Sequence, residues 1–124
     1  MIKITKLAKS FIYAWRGLNK VFKEEQNLKI QLIMGLLIIT LAWYFQVNLW
    51  ELIVLILIII LVILMELANS AVERITDVLK PRINGYVKDI KDIMAAAVLV
   101  ASIAAIIVGL LIFLPYLNKL VGNN

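Results

Sequence analysis

The chain has 124 residues, of which 64% are hydrophobic, and its mean hydropathy is +0.99. Because soluble domains are only about 45–50% apolar, this composition excludes an ordinary soluble domain and indicates one membrane domain over residues 1–124. The formal net charge is +5, and the lack of cysteine and histidine excludes thiolate and imidazole chemistry, which leaves carboxylates, Lys, Arg, Tyr and amides.

The first 29 residues predict an amphipathic helix that lies on the cytoplasmic membrane surface. Apolar residues recur at helical spacing from Ile4 to Phe22, and cations occupy the positions between them. Lys and Glu recur throughout, so we do not expect a cleaved signal peptide. Such a helix can serve as an anchor alone.

Three transmembrane helices are predicted to follow, because each needs about 20 largely apolar residues. We place them near residues 30–47, 50–68 and 93–116. Residues 31–64 contain a single charged residue, Glu51, and residues 94–117 contain none. Residues 69–92 then form a cytoplasmic helix extension and a loop.

The distribution of Lys and Arg predicts the orientation of these spans. Basic residues cluster in segments 1–29 and 74–91, which the positive-inside rule places in the cytoplasm. The loop between the first two spans has no Lys or Arg, and Trp43, Tyr44 and Trp50 suit the outer interface. The amino terminus is therefore expected inside and the carboxyl terminus outside. No nucleic-acid partner is expected, since no soluble domain carries the positive charge.

The segment ELANSAVERITDVLK, residues 66–80, places polar side chains at the end of the most apolar run. Glu66, Asn69, Glu73 and Asp77 fall within roughly an 80° arc of one helix face. Glu66 directly follows the apolar run, where an ionised side chain is costly and by default marks a functional site. The alternatives are a structural Glu66–Asn69 pair between helices and a solvated helix end for the other two.

Every predicted span brings acidic residues to the cytoplasmic surface. Carboxylates on two helices, Glu25 and Glu73, can hold a magnesium ion that also binds nucleotide phosphates. Lys91 can neutralise charge on a transferred phosphoryl group, and Glu66 can accept a proton from a lipid hydroxyl. The sequence has neither a Walker A loop nor a protein-kinase catalytic loop, so phosphoryl transfer to a lipid would need another fold.

Two motifs resemble the small prokaryotic diacylglycerol kinase family, which includes the undecaprenol kinases. The first is E-x-x-N-[ST]-A-[IV]-E-x-x-x-D over residues 66–77, and the second is K-D-x-x-x-A-A-V-L over residues 91–99. The pattern Y-x-W-[KR]-G-L at residues 13–18 and the acidic Glu25 extend the resemblance over nearly the whole chain.

The resemblance implies an all-α homotrimer in a prokaryotic cytoplasmic membrane, which uses MgATP to phosphorylate a lipid alcohol at sites between subunits. It implies that Glu66 is the catalytic base, supported by Asn69, and that Glu25 and Glu73 bind the metal. Further residues are implied to bind nucleotide or the phosphoryl group: Lys6, Tyr13, Asn69, Asp77, Lys91 and Asp92. Trp15 and Ala95 are implied, with Glu66, beside the lipid substrate.

Several features depart from the family pattern and leave questions open. Lys6 replaces a more usual Arg, which keeps the charge but loses the bidentate fork. Arg82, Ile83 and Asn84 replace an acidic, aromatic and histidine run, so their contact with nucleotide is open, as is the nucleotide preference. Residues 94–97 lack a hydroxyl group but keep small side chains for close helix approach.

The acceptor is also open between undecaprenol and diacylglycerol, with a slight preference for undecaprenol. The alternative to a kinase is a small membrane assembly or regulatory subunit that keeps the family fold without turnover.

Overall fold

The computed structural model describes residues 1–80 and 84–122, and this part of the chain forms four helices without strands. They are α1 (Ile4–Glu24), α2 (Gln26–Phe45), α3 (Leu49–Leu79) and α4 (Asn84–Gly122). The last three are long and apolar enough to cross a membrane. The predicted all-α architecture, with an amino-terminal helix followed by three membrane helices, is therefore confirmed.

Helix α1 is amphipathic and buries none of its residues within the protomer. Phe11, Trp15 and Phe22 are among the apolar side chains that it exposes. The helix ends before Glu25, whose backbone is extended (φ −106°, ψ 114°) and whose N–H donates to the Val21 carbonyl at 2.8 Å. A single non-helical residue thus separates α1 from α2, earlier than the boundary near residue 29 expected from the sequence.

Capping residues end α2 and begin α3 at the turn between these helices. Gln46 adopts the left-handed conformation (φ 51°, ψ 52°), which ends α2. Asn48 then begins α3 with a capping box: its side chain accepts from the Glu51 N–H at 2.9 Å, and its own N–H donates to Glu51 at 3.2 Å. These reciprocal bonds satisfy backbone groups that a helix end otherwise leaves unpaired.

Helix α3 is longer than the membrane requires. Its 31 residues span about 46 Å at about 1.5 Å per residue, whereas a hydrocarbon core is about 30 Å thick. The apolar part occupies its first half, and the second half, from Glu66 onward, carries most of the polar side chains of α3. α3 packs most extensively against α4, and less against α2.

An apolar core lies near the end of the bundle where α2 turns into α3. Ala42, Leu55 and Phe113, from α2, α3 and α4, form a buried core, and the Phe45 ring lies 6.1 Å from that of Phe113. Near the middle of α2, Gly35 brings this helix close to α3, since a Cβ there would lie 3.0 Å from Ile59 Cγ2.

A polar contact also joins α4 to the first turn of α3. The hydroxyl group of Tyr116 donates a hydrogen bond to Glu51 Oε1, and the Tyr116 ring lies 5.9 Å from that of Phe45. Glu51 therefore caps its own helix and holds the end of α4. One carboxylate therefore contacts both the start of α3 and the later part of α4.

Tyr116→Phe should lower the free energy of unfolding by about 1 to 2 kcal/mol, because it removes a hydrogen bond to a charged group without changing the ring packing. Unfolding in mixed detergent micelles measures the change. Tyr44→Phe is the matched control, because the Tyr44 side chain is exposed at the same end. Equal stabilities of the two variants would contradict the assigned role of Tyr116.

Candidate active site

Glu66 is buried between α3 and α2, with 1% of its surface exposed. Its Oε2 accepts a hydrogen bond from Gln31 Nε2 on α2 at 3.3 Å. The other amide atom, Gln31 Oε1, is buried and has no hydrogen-bond partner among the described residues. A carboxyl group and an unsatisfied carbonyl thus lie side by side at the end of the apolar run, where a hydroxyl donor would complete the arrangement.

One turn further along α3, Ser70 is buried and connects two helices. Its hydroxyl donates to Glu25 Oε1 at 3.4 Å, which draws the carboxylate at the α1–α2 break towards α3. Arg74 donates to the Ser70 hydroxyl, to the Ser70 carbonyl at 3.2 Å and, through its other nitrogen, to Glu24.

Glu73 lies half-buried on the same side of α3. Asn69 Nδ2 donates to Glu73 Oε1 at 3.5 Å. The two candidate metal ligands are therefore bonded to consecutive residues: Glu73 to Asn69, and Glu25 to Ser70. This places carboxylates from two chain segments near one turn of α3.

Asp77 and Lys91 form an ion pair between the carboxyl-terminal end of α3 and the amino-terminal end of α4, with Lys91 Nζ 2.6 Å from Asp77 Oδ1. Asp77 is exposed and lies three turns beyond Glu66, past the apolar run. The hydrogen bond and positive charge of Lys91 hold the pKa of the Asp77 carboxyl below its usual value of 3.8, and Lys80 adds a smaller effect. The pair joins α3 to α4 near the segment that connects these two helices.

The remaining predicted site residues are exposed and make no polar contact with this cluster among the described residues. Lys6, Tyr13 and Trp15 are exposed on α1, and Asp92 and Ala95 are exposed on α4. Within residues 1–80 and 84–122, no hydrogen bond or ion pair joins these five to Glu25, Glu66 or Glu73. Arg82, Ile83 and the side chain of Asn84 lie outside the residues that the structure describes.

The carboxylates suit a magnesium ion that arrives with a nucleotide. Across the described ranges, no group of three or more acidic residues is assembled that could hold a metal by itself. Magnesium commonly uses one or two protein carboxylates and completes its shell with phosphate oxygens and water. Glu25 and Glu73 supply that number, so the residues fit the ion.

Three contributors were missed from the sequence: Gln31, the Glu24–Arg74 pair and the linking hydroxyl of Ser70. Gln31 carried a usable signal, since it is a polar residue within the apolar part of α2 that begins at Ile30. Arg74 follows Ser70 by one helical turn, which allows their contact. Its pairing with Glu24, 50 positions away, depends on tertiary structure that no local pattern reveals.

Sequence comparisons show which known proteins this chain resembles. A family model described as prokaryotic diacylglycerol kinase matches residues 12–113. A diacylglycerol kinase of Synechocystis sp. is 37% identical over 112 residues, which cover 90% of this chain and 64% of the relative. The chain therefore spans less than two thirds of that relative's length.

Two further relatives are matched over most of their length. An undecaprenol kinase of Bacillus subtilis is 29% identical over 93% of this chain and 94% of its own. A diacylglycerol kinase of Escherichia coli is 29% identical over 83% of this chain and 84% of its own. The similarity covers all three membrane helices.

Lys91→Met should raise the pKa of Asp77 towards 3.8, because it removes the main cause of the lowering. In the unmodified protein the pair stabilises the fold at neutral pH, and this contribution is lost as the pH falls through the lowered pKa. Carboxyl-carbon NMR titration of the protein in micelles measures the shift. Lys88→Met, one turn earlier on α4, is the control; the same Asp77 pKa in both variants would contradict the pairing.

Proposed function

The chain belongs to the prokaryotic diacylglycerol kinase family, and we propose that it transfers the γ-phosphoryl group of MgATP to the hydroxyl group of a membrane lipid alcohol. The observation that carries this proposal is the position of Glu66: buried, at the end of the apolar part of α3, and beside an unsatisfied Gln31 carbonyl. A base at this depth suits an acceptor whose tail stays in the bilayer and whose hydroxyl lies near the interface.

On the lipid side, Glu66 acts as the general base. Gln31 holds its Oε2 atom, which leaves Oε1 to take the proton from the acceptor hydroxyl. The acceptor O–H bond breaks, a bond forms from that oxygen to the γ-phosphorus, and the bond from the γ-phosphorus to the ADP oxygen breaks. Trp15 on α1 and Ala95 on α4 are proposed to contact the lipid.

On the nucleotide side, Glu25 and Glu73 would hold magnesium, which when bound neutralises phosphate charge. Asn69 orients Glu73 through its amide. Asp77 holds the Lys91 ammonium at the cytoplasmic end of α3, where it can meet the charge of the phosphoryl group. Lys6, Tyr13 and Asp92 are proposed to complete the nucleotide site.

A homotrimer would bring these separated residues to the cluster. α1 buries nothing within its own protomer, and its nucleotide-binding candidates do not contact the carboxylates. We therefore place the site between subunits, near the cytoplasmic face, with the amino terminus inside and the carboxyl terminus outside. The basic segments at residues 1–29 and 74–91 support this orientation.

The acceptor is proposed to be undecaprenol or diacylglycerol, giving undecaprenyl phosphate or phosphatidic acid. The relatives carry both names, and both lipids present a hydroxyl on an apolar body. Parallel assays with the two lipids in the same vesicles identify the acceptor. We expect a higher kcat/KM with undecaprenol; transfer to diacylglycerol alone would reverse that preference and leave the lipid kinase proposal intact.

Glu66→Gln should reduce phosphoryl transfer by about 10²- to 10⁴-fold, because it removes the base, while nucleotide binding is largely retained. Transfer of radiolabelled phosphate to lipid and binding of a fluorescent ATP analogue measure the two effects. Glu51→Gln is the matched control: it neutralises a carboxylate on the same helix at the outer end and should keep near-normal turnover. Near-normal turnover of Glu66→Gln would show that the assigned base is wrong.

Glu73→Gln should lower turnover and raise the magnesium concentration required for half-maximal rate, because one of two proposed metal ligands is lost. A magnesium titration at fixed ATP separates this effect from a loss of the base. Asp89→Asn is the control, since Asp89 is exposed on α4 at the same membrane side. An unchanged magnesium requirement in Glu73→Gln would exclude it as a ligand.

A further inference from the structure

Arg74 makes the polar connection between α1 and α3. In the described part of the chain, the side-chain hydrogen bond that joins these two helices runs from Arg74 to Glu24, the last residue of α1. No residue of α1 is buried, so apolar packing within the protomer does little to fix the direction of this helix. A polar contact at its end therefore has a large share in setting that direction.

The same guanidinium also controls the hydroxyl group of Ser70. Arg74 donates to the Ser70 oxygen, and Ser70 is 1% exposed. A hydroxyl group carries one proton, and a guanidinium offers donors only. Because the Ser70 oxygen accepts from Arg74, the Ser70 proton is directed to the other neighbouring group, Glu25 Oε1, at 3.4 Å.

The two contacts act on adjacent residues at the break between α1 and α2. Glu24 is held by Arg74 directly, and Glu25 is held through Ser70. Holding Oε1 of Glu25 leaves its Oε2 atom as the free ligand oxygen. Without these two contacts, the extended backbone at Glu25 would let the Glu25 carboxylate and α1 change direction together.

We propose that Arg74 is a positioning residue that, through Glu24 and Ser70, fixes α1 against α3 and presents the Glu25 carboxylate to a divalent cation. This inference rests on the proposed function in assigning Glu25 to the metal. The Arg74 and Glu24 side chains are 39% and 51% exposed, and exposed ion pairs add little to stability. The contribution of Arg74 is therefore to geometry rather than to the stability of the fold.

The first test measures the position of α1 without requiring activity. Because the chain has no cysteine, spin labels can be placed at Lys20→Cys on α1 and Val78→Cys on α3, both exposed positions. Pulsed EPR on labelled protein diluted with unlabelled protein gives the distance distribution. Arg74→Ala and Glu24→Gln should both broaden it, and Ser70→Ala should leave it narrow.

The second test measures the cation site. Manganese binding in the presence of a non-hydrolysable ATP analogue should weaken about tenfold in Arg74→Ala, as expected when a residue that orients a metal ligand is lost. Ser70→Ala should weaken it similarly, and the Arg74→Ala/Ser70→Ala double variant should be no worse than either alone, because both act through one path. Glu24→Gln should have a smaller effect.

Arg74→Lys distinguishes geometry from charge. The single ammonium group of Lys lacks the two nitrogens with which Arg74 bonds Glu24 and Ser70 at the same time. Arg74→Lys should therefore restore only part of the manganese affinity that Arg74→Ala loses. A narrow distance distribution and unchanged manganese binding in Arg74→Ala would overturn the proposal. It would also be overturned if the loss of manganese affinity in the double variant equalled the product of the two single losses. If the unmodified protein transferred no phosphate to lipid, the kinase proposal would fail, while the EPR distances would still decide the role of Arg74 in positioning α1.

Discussion

The structure depends on the cost of placing a carboxyl group at the edge of an apolar helix. An ionised side chain at the centre of a membrane helix costs about 2.5 to 3.5 kcal/mol on insertion scales, and the cost falls towards the interface. Glu66 comes directly after the apolar run and is buried beside Gln31. This position leaves the carboxyl group at the end of the apolar run, enclosed by protein and hydrogen-bonded by Gln31.

The length and continuity of α3 connect the apolar run that precedes Glu66 to the polar end that carries Asp77. Glu66, Asn69, Glu73 and Asp77 follow one another along one uninterrupted helix. Glu66 bonds to Gln31 on α2, Asn69 and Glu73 bond to each other within α3, and Asp77 pairs with Lys91 on α4. α3 thereby arranges along its length the residues that we propose to meet the lipid acceptor, the metal and the nucleotide, and contacts with α2 and α4 help to orient them.

The sequence predicted the all-α architecture, because long apolar runs and the asymmetric placement of cations are strong local signals. It also predicted the shared face of Glu66, Asn69 and Glu73, since helical periodicity alone determines that face. The Gln31–Glu66 bond, the Ser70–Glu25 bond and the Glu24–Arg74 pair were not predicted, because each joins helices whose rotation and depth depend on packing. The direction of α1 was unpredictable for the same reason: nothing in α1 itself specifies where it lies relative to α3.

The depth of Glu66 relative to the membrane boundary is the central claim, and spin-label accessibility along α3 tests it most directly. Single labels can be placed on exposed positions of that helix at Leu61, Leu64, Ala68, Ala71, Ile75 and Val78. In vesicles, we predict that collisions with oxygen dominate at Leu61 and Leu64, that collisions with a water-soluble nickel complex dominate at Ile75 and Val78, and that the reversal falls near Ala68 and Ala71. Dominant oxygen access at Val78, or dominant nickel access at Leu61, would place Glu66 deep in lipid or fully in water and would contradict the account.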